Sequence, residues 1–191
     1  MEEKKKVLTS LKDVPEVIWK KLAQKRVYFG HQSVGNNILS GIQDLMKEDS
    51  RIKLNIVETH DLEAFKTPLF AHSIIGKNMI PESKCNAFVD YMEKGLGGKV
   101  DIALFKFCFV DVTGATDVNN LFNEYKKTVS RIKEKYPGTT LVHVTVPLMT
   151  VQTRIKARIK QIIGRPIGGY DDNAARGEYN DSLRREYEGK E

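Results

Sequence analysis

A chain of 191 residues, 40% apolar and 29% charged, is long enough to bury a core and too apolar to be disordered. It contains no apolar run of the roughly 20 residues that a membrane-spanning helix needs. Its charged N-terminus also lacks the apolar stretch of a signal peptide. We therefore predict one globular domain, 1–191, without a transmembrane segment. Its localisation is cytoplasmic by sequence, or exported if a signal has been removed.

The first part of the chain alternates apolar runs with helical patterns. Residues 14–24 have helical spacing, and residues 26–31 (Arg-Val-Tyr-Phe-Gly-His) form a short apolar run that predicts strand one. Helical spacing resumes over residues 34–46 and stops at charged residues. Residues 52–57 predict strand two. The proline- and glycine-containing stretch 60–83 predicts a loop.

The second part repeats this alternation. Residues 84–94 predict a helix, and the nearly continuous apolar run 100–110 is typical of a central parallel strand that is buried on both faces. Asp117 can cap the next helix, which has one apolar stripe. Residues 139–146 predict strand four, and residues 172–187 predict the last helix.

Strands separated by helices indicate βαβ units and a parallel sheet. Right-handed crossovers then favour an α/β fold, a three-layer α/β/α sandwich with a doubly wound, flavodoxin-like sheet. We expect four strands in the order 2-1-3-4.

Polar residues concentrate where these strands end, which is the edge where open parallel sheets bind ligands. The candidates at this edge are His31, Ser33, Gly35, His60, Asp61, His72, Gly76, Lys77, Asn78, Lys106 and Asp111. Three of the four histidines are among them. The fourth, His143, lies inside strand four, where we predict a structural role.

Ser33 lies where strand one turns into its helix. A hydroxyl there is expected at the rim of the sheet, next to free N–H groups at the positive end of the helix dipole. Such groups can hold an oxyanion or a phosphate. Serine is also a common helix cap, so position alone leaves both readings open.

Residues 27–35 (Val-Tyr-Phe-Gly-His-Gln-Ser-Val-Gly) resemble the first block of the SGNH (GDSL-like) hydrolases, in the branch where a histidine-containing loop replaces Gly-Asp-Ser. The loop 76–78 is similar to the family's glycine-bearing second block. The last helix is also similar to the family's, through Asn173, Arg176, Tyr179, Asn180, Leu183 and Arg184.

The resemblance implies a serine ester hydrolase that acts on acyl or acetyl esters, including carbohydrate esters. Ser33 would be the nucleophile, and Gly35, Gly76 and Asn78 would contact the oxyanion or substrate. Asn180 and Arg184 fit packing or rim contacts better than catalytic roles. The resemblance implies no cofactor, and a small-molecule or carbohydrate ester as the binding partner.

The sequence departs from this family in three places. Gln32 replaces the usual Asp, no Gly-x-Asn-Asp follows strand three, and no Asp-x-x-His follows the last helix. The family would continue after Glu191 with a further strand and a catalytic loop, so the domain is expected to lack them. We therefore expect weak activity or none, unless His31, His60 or His72 reaches Ser33.

His31 is the strongest of these three candidates for the general base that would activate Ser33. It lies two residues before Ser33 and would project to the same side if the segment were extended. The alternative is that His31 hydrogen-bonds into the loop and shapes it.

Lys106 is unusual in an apolar strand. We predict that it pairs with Asp111 or Asp61 near the strand end. As an alternative, Lys106 binds an anion, with Asp111 as a further substrate contact. This second reading motivates an alternative function, a non-catalytic module that binds an anion or a sugar at the same edge.

The remaining features favour structural roles over functional ones. The net charge is +6, but its one basic cluster, 154–165, has the spacing of an amphipathic helix with a solvated face, so nucleic acid is not the favoured partner. Cys85 and Cys108 have no metal-ligand spacing and predict buried free thiols. The histidines are not spaced as a helical ligand pair, so no metal site is predicted.

Overall fold

A computed structural model describes residues 10–151 and 169–189. Its five parallel strands form one sheet, and they are β1 (Arg26–His31), β2 (Ile56–Glu58), β3 (Leu69–Ile74), β4 (Ile102–Phe105) and β5 (Thr140–His143). The strand order is β2-β3-β1-β4-β5. The helices in the described ranges are α1 (Glu16–Ala23), α2 (Ser33–Glu48), α3 (Pro81–Tyr91), α4 (Val118–Lys135) and α5 (Tyr170–Tyr187).

The predicted α/β class is confirmed, because a parallel sheet is flanked by helices on both faces. Residues alternate across a strand, so the two sides of β1 meet different helices. Tyr28 stacks on Phe88 of α3, and α3 packs on α4, which packs on α5. On the opposite side, the His31 ring lies against Gly35 of α2. The result is the three-layer α/β/α arrangement.

The strand count is five rather than four, because β3 lies in the stretch predicted to be a loop. Its polar residues His72 and Ser73 mask the apolar pattern, while Leu69 and Ala71 point into the core. β3 pairs with β1 on one side and β2 on the other. The neighbours of strand one are therefore β3 and β4, and strand two lies at the edge of the sheet.

Several element bounds also differ from the predicted ones. Strand β2 is only Ile56–Glu58. The predicted third strand, which is β4 in the structure, ends at Phe105 because the chain then leads into a short 3-10 helix, Phe109–Asp111. Helix α3 begins earlier than predicted, at Pro81, a residue well suited to the first helical position.

The sheet brings the residues that follow β1, β3 and β4 to one edge. Gly30 of β1 is paired with Ser73 of β3 and with Phe105 of β4. The residues that follow these three strands therefore share the carboxyl edge of the sheet, where the chain reverses its winding direction around β1. Within the described ranges, no helix combines the length and apolarity needed to cross a membrane.

Candidate functional site

Ser33 is the first residue of α2 and lies on the surface at the end of the central strand. The preceding residue, Gln32, is the N-cap and has extended backbone angles (φ −124°, ψ −171°). The Ser33 hydroxyl makes no hydrogen bond to any residue of the described ranges. It is therefore not occupied as a cap, and it lies beside the first-turn amides of α2, which have no carbonyl partners within the helix.

The turn after β3 is tied to the segment before Ser33. The Gln32 side-chain amide donates to the carbonyl oxygens of Ile75 (2.9 Å) and Gly76 (2.7 Å). Gly76 has a left-handed φ of +57°, and a Cβ there would lie 2.6 Å from the backbone nitrogen of Lys84. Only glycine fits this position without distortion. The structure thus brings the predicted nucleophile and the predicted glycine turn to one edge through Gln32.

His31 is fully buried and both of its ring nitrogens are engaged. Nδ1 lies 2.8 Å from the Gln32 carbonyl oxygen, and Nε2 lies 3.1 Å from Nδ1 of His72. Because a carbonyl oxygen only accepts, Nδ1 of His31 carries its proton, and Nε2 accepts the proton of His72 Nδ1. The structure therefore brings His31 to His72, and it leaves Ser33 without a bond from either ring.

Burial sets the charge of this histidine pair. It lowers the pKa of His31, and the positive charges of His72 and Lys106 lower it further, against the opposing effect of the Gln32 carbonyl. Burial also lowers the pKa of His72. Both rings are therefore favoured in the neutral form.

Gly35 makes room for His31 in the first turn of α2. A Cβ on Gly35 would lie 2.1 Å from Cγ of His31, and the Gly35 N–H donates to the Gln32 carbonyl oxygen at 2.7 Å. The amide predicted to contact an oxyanion is thus already used within the turn.

The two other histidines lie in aromatic contacts. His60 stacks on Tyr91, with ring centroids 4.8 Å apart. His143 stacks on Tyr187 at 3.7 Å and hydrogen-bonds to the hydroxyl of Tyr125. All four histidines of the chain are thus located, and none of them bonds to Ser33.

A buried ion pair lies beneath the glycine turn. The Asp111 carboxylate binds Lys84 of α3, and both side chains are fully buried. The same carboxylate accepts from the N–H groups of Met79 (2.9 Å) and Cys108 (2.6 Å). Lys84 also donates to the Asn78 side-chain oxygen at 3.1 Å. Both Asn78 and Asp111, predicted as substrate contacts, are therefore held by Lys84, a residue that the sequence reasoning missed.

Lys106 does not form the predicted pair. Lys84 occupies Asp111, Asp61 is exposed in the loop after β2, and the Lys106 amine lies 4.0 Å from the Cys108 sulfur instead. Only 2% of Lys106 is exposed. Burial lowers its pKa, and the charge of Lys84 lowers it further, while Cys108 and Asp111 act in the opposite direction. Lys106 is thus a buried amine without an ion-pair partner among the described carboxylates.

Helix α5 holds the loops that border the site. Asn180 exchanges hydrogen bonds with the Val146 backbone (2.7 and 2.9 Å), and Arg176 donates to the carbonyl oxygens of Phe109 and Val112. Arg184 is exposed and pairs with its helix neighbour Asp181. These contacts make the last helix a support of the β4 and β5 loops.

The two cysteines are free and buried, as predicted. Burial raises the pKa of the Cys85 thiol to about 11. Within residues 10–151 and 169–189, no group of three or more His, Cys, Asp or Glu side chains is arranged to hold a metal ion. The basic cluster 154–165 lies outside the described residues.

Comparisons with known proteins identify no family. No protein-family model matches the chain, and no curated protein matches it. Among solved structures, the chain is similar to a Streptococcus pneumonia protein provisionally described as a platelet activating factor. The two share 14% sequence identity with a TM-score of 0.44, over 92% of this chain and 71% of the other. A likeness this weak says nothing about activity.

Proposed function

We propose that this protein is a serine ester hydrolase of SGNH type in which Ser33 is the nucleophile. The observation that carries the proposal is the placement of Ser33: an exposed hydroxyl that caps nothing, in the first turn of α2, at the carboxyl edge of the central strand. The sequence resemblance of residues 27–35 supports the same reaction. Acyl and acetyl esters, carbohydrate esters among them, are the substrates we propose.

In this reaction the Ser33 oxygen attacks the ester carbonyl carbon, and the carbonyl oxygen becomes an oxyanion. The donors for that charge are the Gly76 N–H and the amides of the α2 first turn other than that of Gly35, which is bonded to Gln32. The alcohol then leaves with the proton that Ser33 loses, and water releases the acyl group. Loss of one oxyanion donor typically costs about 10²–10³ in rate.

Asn78 and Asp111 have different places in this proposal. Lys84 holds the side-chain oxygen of Asn78, so Asn78 can offer only its N–H groups to a substrate. Asp111 has no contact with substrate because its carboxylate is buried and already accepts three donors.

The base is the unassigned part of the proposed mechanism. His31 and His72 bond to each other, and His60 and His143 stack on tyrosines, so none of the four histidines bonds to Ser33. A positioned base contributes about 10²–10⁴ in rate, so we expect Ser33 to turn over unactivated esters slowly. An activated reagent should still acylate or phosphonylate it, at a rate reduced by the same factor.

The test is labelling with a fluorophosphonate probe, read by mass spectrometry of the modified peptide. We expect the label on Ser33 and none on the Ser33→Ala variant. Ser40→Ala is the matched control, because Ser40 is also exposed on α2, and it should label like the wild type. Equal labelling of wild type and Ser33→Ala would reject the proposal.

Lys106 favours a second candidate function, a non-catalytic module that binds an anion at the same edge. A buried amine without a carboxylate partner can gain a counter-charge from a ligand, and the first turn of α2 adds free N–H groups. Calorimetry with phosphate and with acetate tests this function. Binding that is lost in Lys106→Met, in a protein whose Ser33 takes no label, would favour the binding module over the hydrolase.

A further inference from the structure

The turn between β3 and α3 is held in an unusual backbone conformation. Gly76 has a φ of +57°, and Met79 has a φ of +66° although it carries a side chain. The left-handed region is unfavourable for a residue such as methionine, and it persists only where the surroundings enforce it. Something in the structure therefore holds this turn in place.

Besides the bonds of Lys77 to Ser83 and Ile80 within it, the turn is tied to other chain segments by hydrogen bonds at each end. Gln32 binds the carbonyl oxygens of Ile75 and Gly76, which ties the start of the turn to the residue before Ser33. Asp111 accepts the Met79 N–H, which ties the end of the turn to the segment after β4.

The bond between Met79 and Asp111 is connected to the rest of the edge through Lys84. Lys84 lies in the first turn of α3, directly against Gly76, and it binds Asp111 and Asn78. Asp111 also accepts the Cys108 N–H from the end of β4. One buried pair thus joins the turn, helix α3 and the residues after β4.

Stability alone does not explain such a pair. Desolvation of two buried charges offsets most of their attraction, and apolar side chains of similar size often stabilise a fold as well or better. The geometry points to a different role. We propose that Lys84 and Asp111 are positioning residues, which fix the Gly76 turn beside Ser33 so that its N–H can meet the oxyanion. This inference rests on the proposed function of Ser33.

The test compares two reactions at position 33. Phosphonylation of Ser33 builds negative charge on an oxygen that the donors must stabilise, whereas alkylation of a Ser33→Cys protein by iodoacetamide needs no such donor. The main variant is Lys84→Met/Asp111→Asn, which removes both charges with little change in side-chain shape. The matched control is Lys94→Met/Asp90→Asn, which removes an exposed ion pair of the same helix region.

We expect the rate of phosphonylation to fall at least tenfold in the main variant, on the scale of a lost oxyanion donor. The alkylation rate in the Ser33→Cys background should stay within about twofold, and the control variant should change neither rate. A purely structural role would leave both rates unchanged in folded protein, or would lower both together.

The outcomes separate the two proposals. If wild-type Ser33 takes no label, the proposed function fails and this inference fails with it. If wild-type Ser33 is labelled and the main variant is folded by near-ultraviolet circular dichroism but keeps its rate within twofold, only the inference is overturned. If the double variant does not fold, Asp111→Asn replaces it with the same expectations, because this substitution keeps the side-chain shape, removes one of the acceptor oxygens that hold Met79 and Cys108, and leaves Lys84 bonded to Asn78.

Discussion

Substitution of Gly76 by alanine tests whether the glycine turn is as tightly packed as the structure shows. The new Cβ would lie 2.6 Å from the Lys84 backbone nitrogen, 2.7 Å from the Ser83 carbonyl carbon and 2.8 Å from the Lys84 Cα. All three atoms belong to the backbone of α3, so no side chain can rotate away. Reaching the 3.4 Å at which ordinary contact begins requires the turn and the helix to part by about 0.8 Å.

The expected cost has two parts. A left-handed φ costs an alanine about 1–2 kcal/mol, and overpacking against a fixed backbone costs about 1–3 kcal/mol. The free energy of unfolding of Gly76→Ala should therefore fall by about 2–5 kcal/mol, which a domain of ordinary stability survives. Because a misplacement near 1 Å can cost about 10²-fold in rate, phosphonylation of Ser33 should slow as well.

Urea unfolding measures the first effect, and Gly169→Ala separates its two parts. Gly169 has a φ of +90°, and no atom of the described residues lies within 4 Å of the place its new methyl group would take, so its substitution carries the backbone cost without overpacking against those residues. We expect Gly76→Ala to be the more destabilised variant by at least about 1 kcal/mol. Equal losses in the two variants would show that the turn is not packed against α3, and the reasoning would be wrong.

Two further predictions concern the first turn of α2 and the histidines beneath it. Gly35→Ala should destabilise the protein by about 1–3 kcal/mol in urea unfolding, because its methyl group would overlap the buried His31 ring. Gly41→Ala in the same helix places its methyl group more than 4 Å from every described atom outside the helix backbone, and it should stabilise the protein by about 0.5–1 kcal/mol. The reverse order of stabilities would contradict this packing. Burial lowers the pKa of His31 and His72, so below the ordinary histidine value of 6.5 the unfolded chain binds more protons than the folded chain. Their contribution to stability is thus present above that pH and is lost as the pH falls, by at most about 1.4 kcal/mol per pH unit for each ring. Unfolding measured from about pH 7.5 to pH 5 should show a shallower decline for His72→Asn, which keeps a donor to His31, and an unchanged slope would refute the assignment.

The sequence predicted the α/β class because its strongest patterns, the apolar runs of β1 and β4 and the stripe of α4, reflect burial directly. The sequence did not predict β3, because His72 and Ser73 interrupt its apolar pattern. A strand between two others can contain such polar residues when their side chains find hydrogen-bond partners inside the protein. Ser73 bonds to the hydroxyl of Tyr28, and His72 bonds to His31. Those partners are 45 and 41 residues away along the chain, and no local pattern reveals them.

The sequence likewise predicted the location of the site but not the contacts between its side chains. Ser33 could be placed from the strand-to-helix transition, which is a local signal. The direction of His31 could not, because the expectation that residues 31 and 33 share a side holds only while the chain stays extended, and α2 begins at Ser33. The partner of Asp111 depended on which of two lysines the fold brings close. Lys84 is 27 residues away in sequence, on a helix that the sequence predicted to begin only at that residue.

Gln32 stands where the SGNH hydrolases, which residues 27–35 resemble, have an aspartate, and the structure shows what the glutamine side chain does here. An ionised aspartate at this position would offer only acceptors and could not donate to the carbonyl oxygens of Ile75 and Gly76. The glutamine amide donates to both of those oxygens instead. Its own backbone carbonyl meanwhile accepts from His31 and Gly35. One residue therefore ties the start of α2 to the glycine turn and to the buried histidines, and an ionised aspartate could not make the two bonds to the glycine turn.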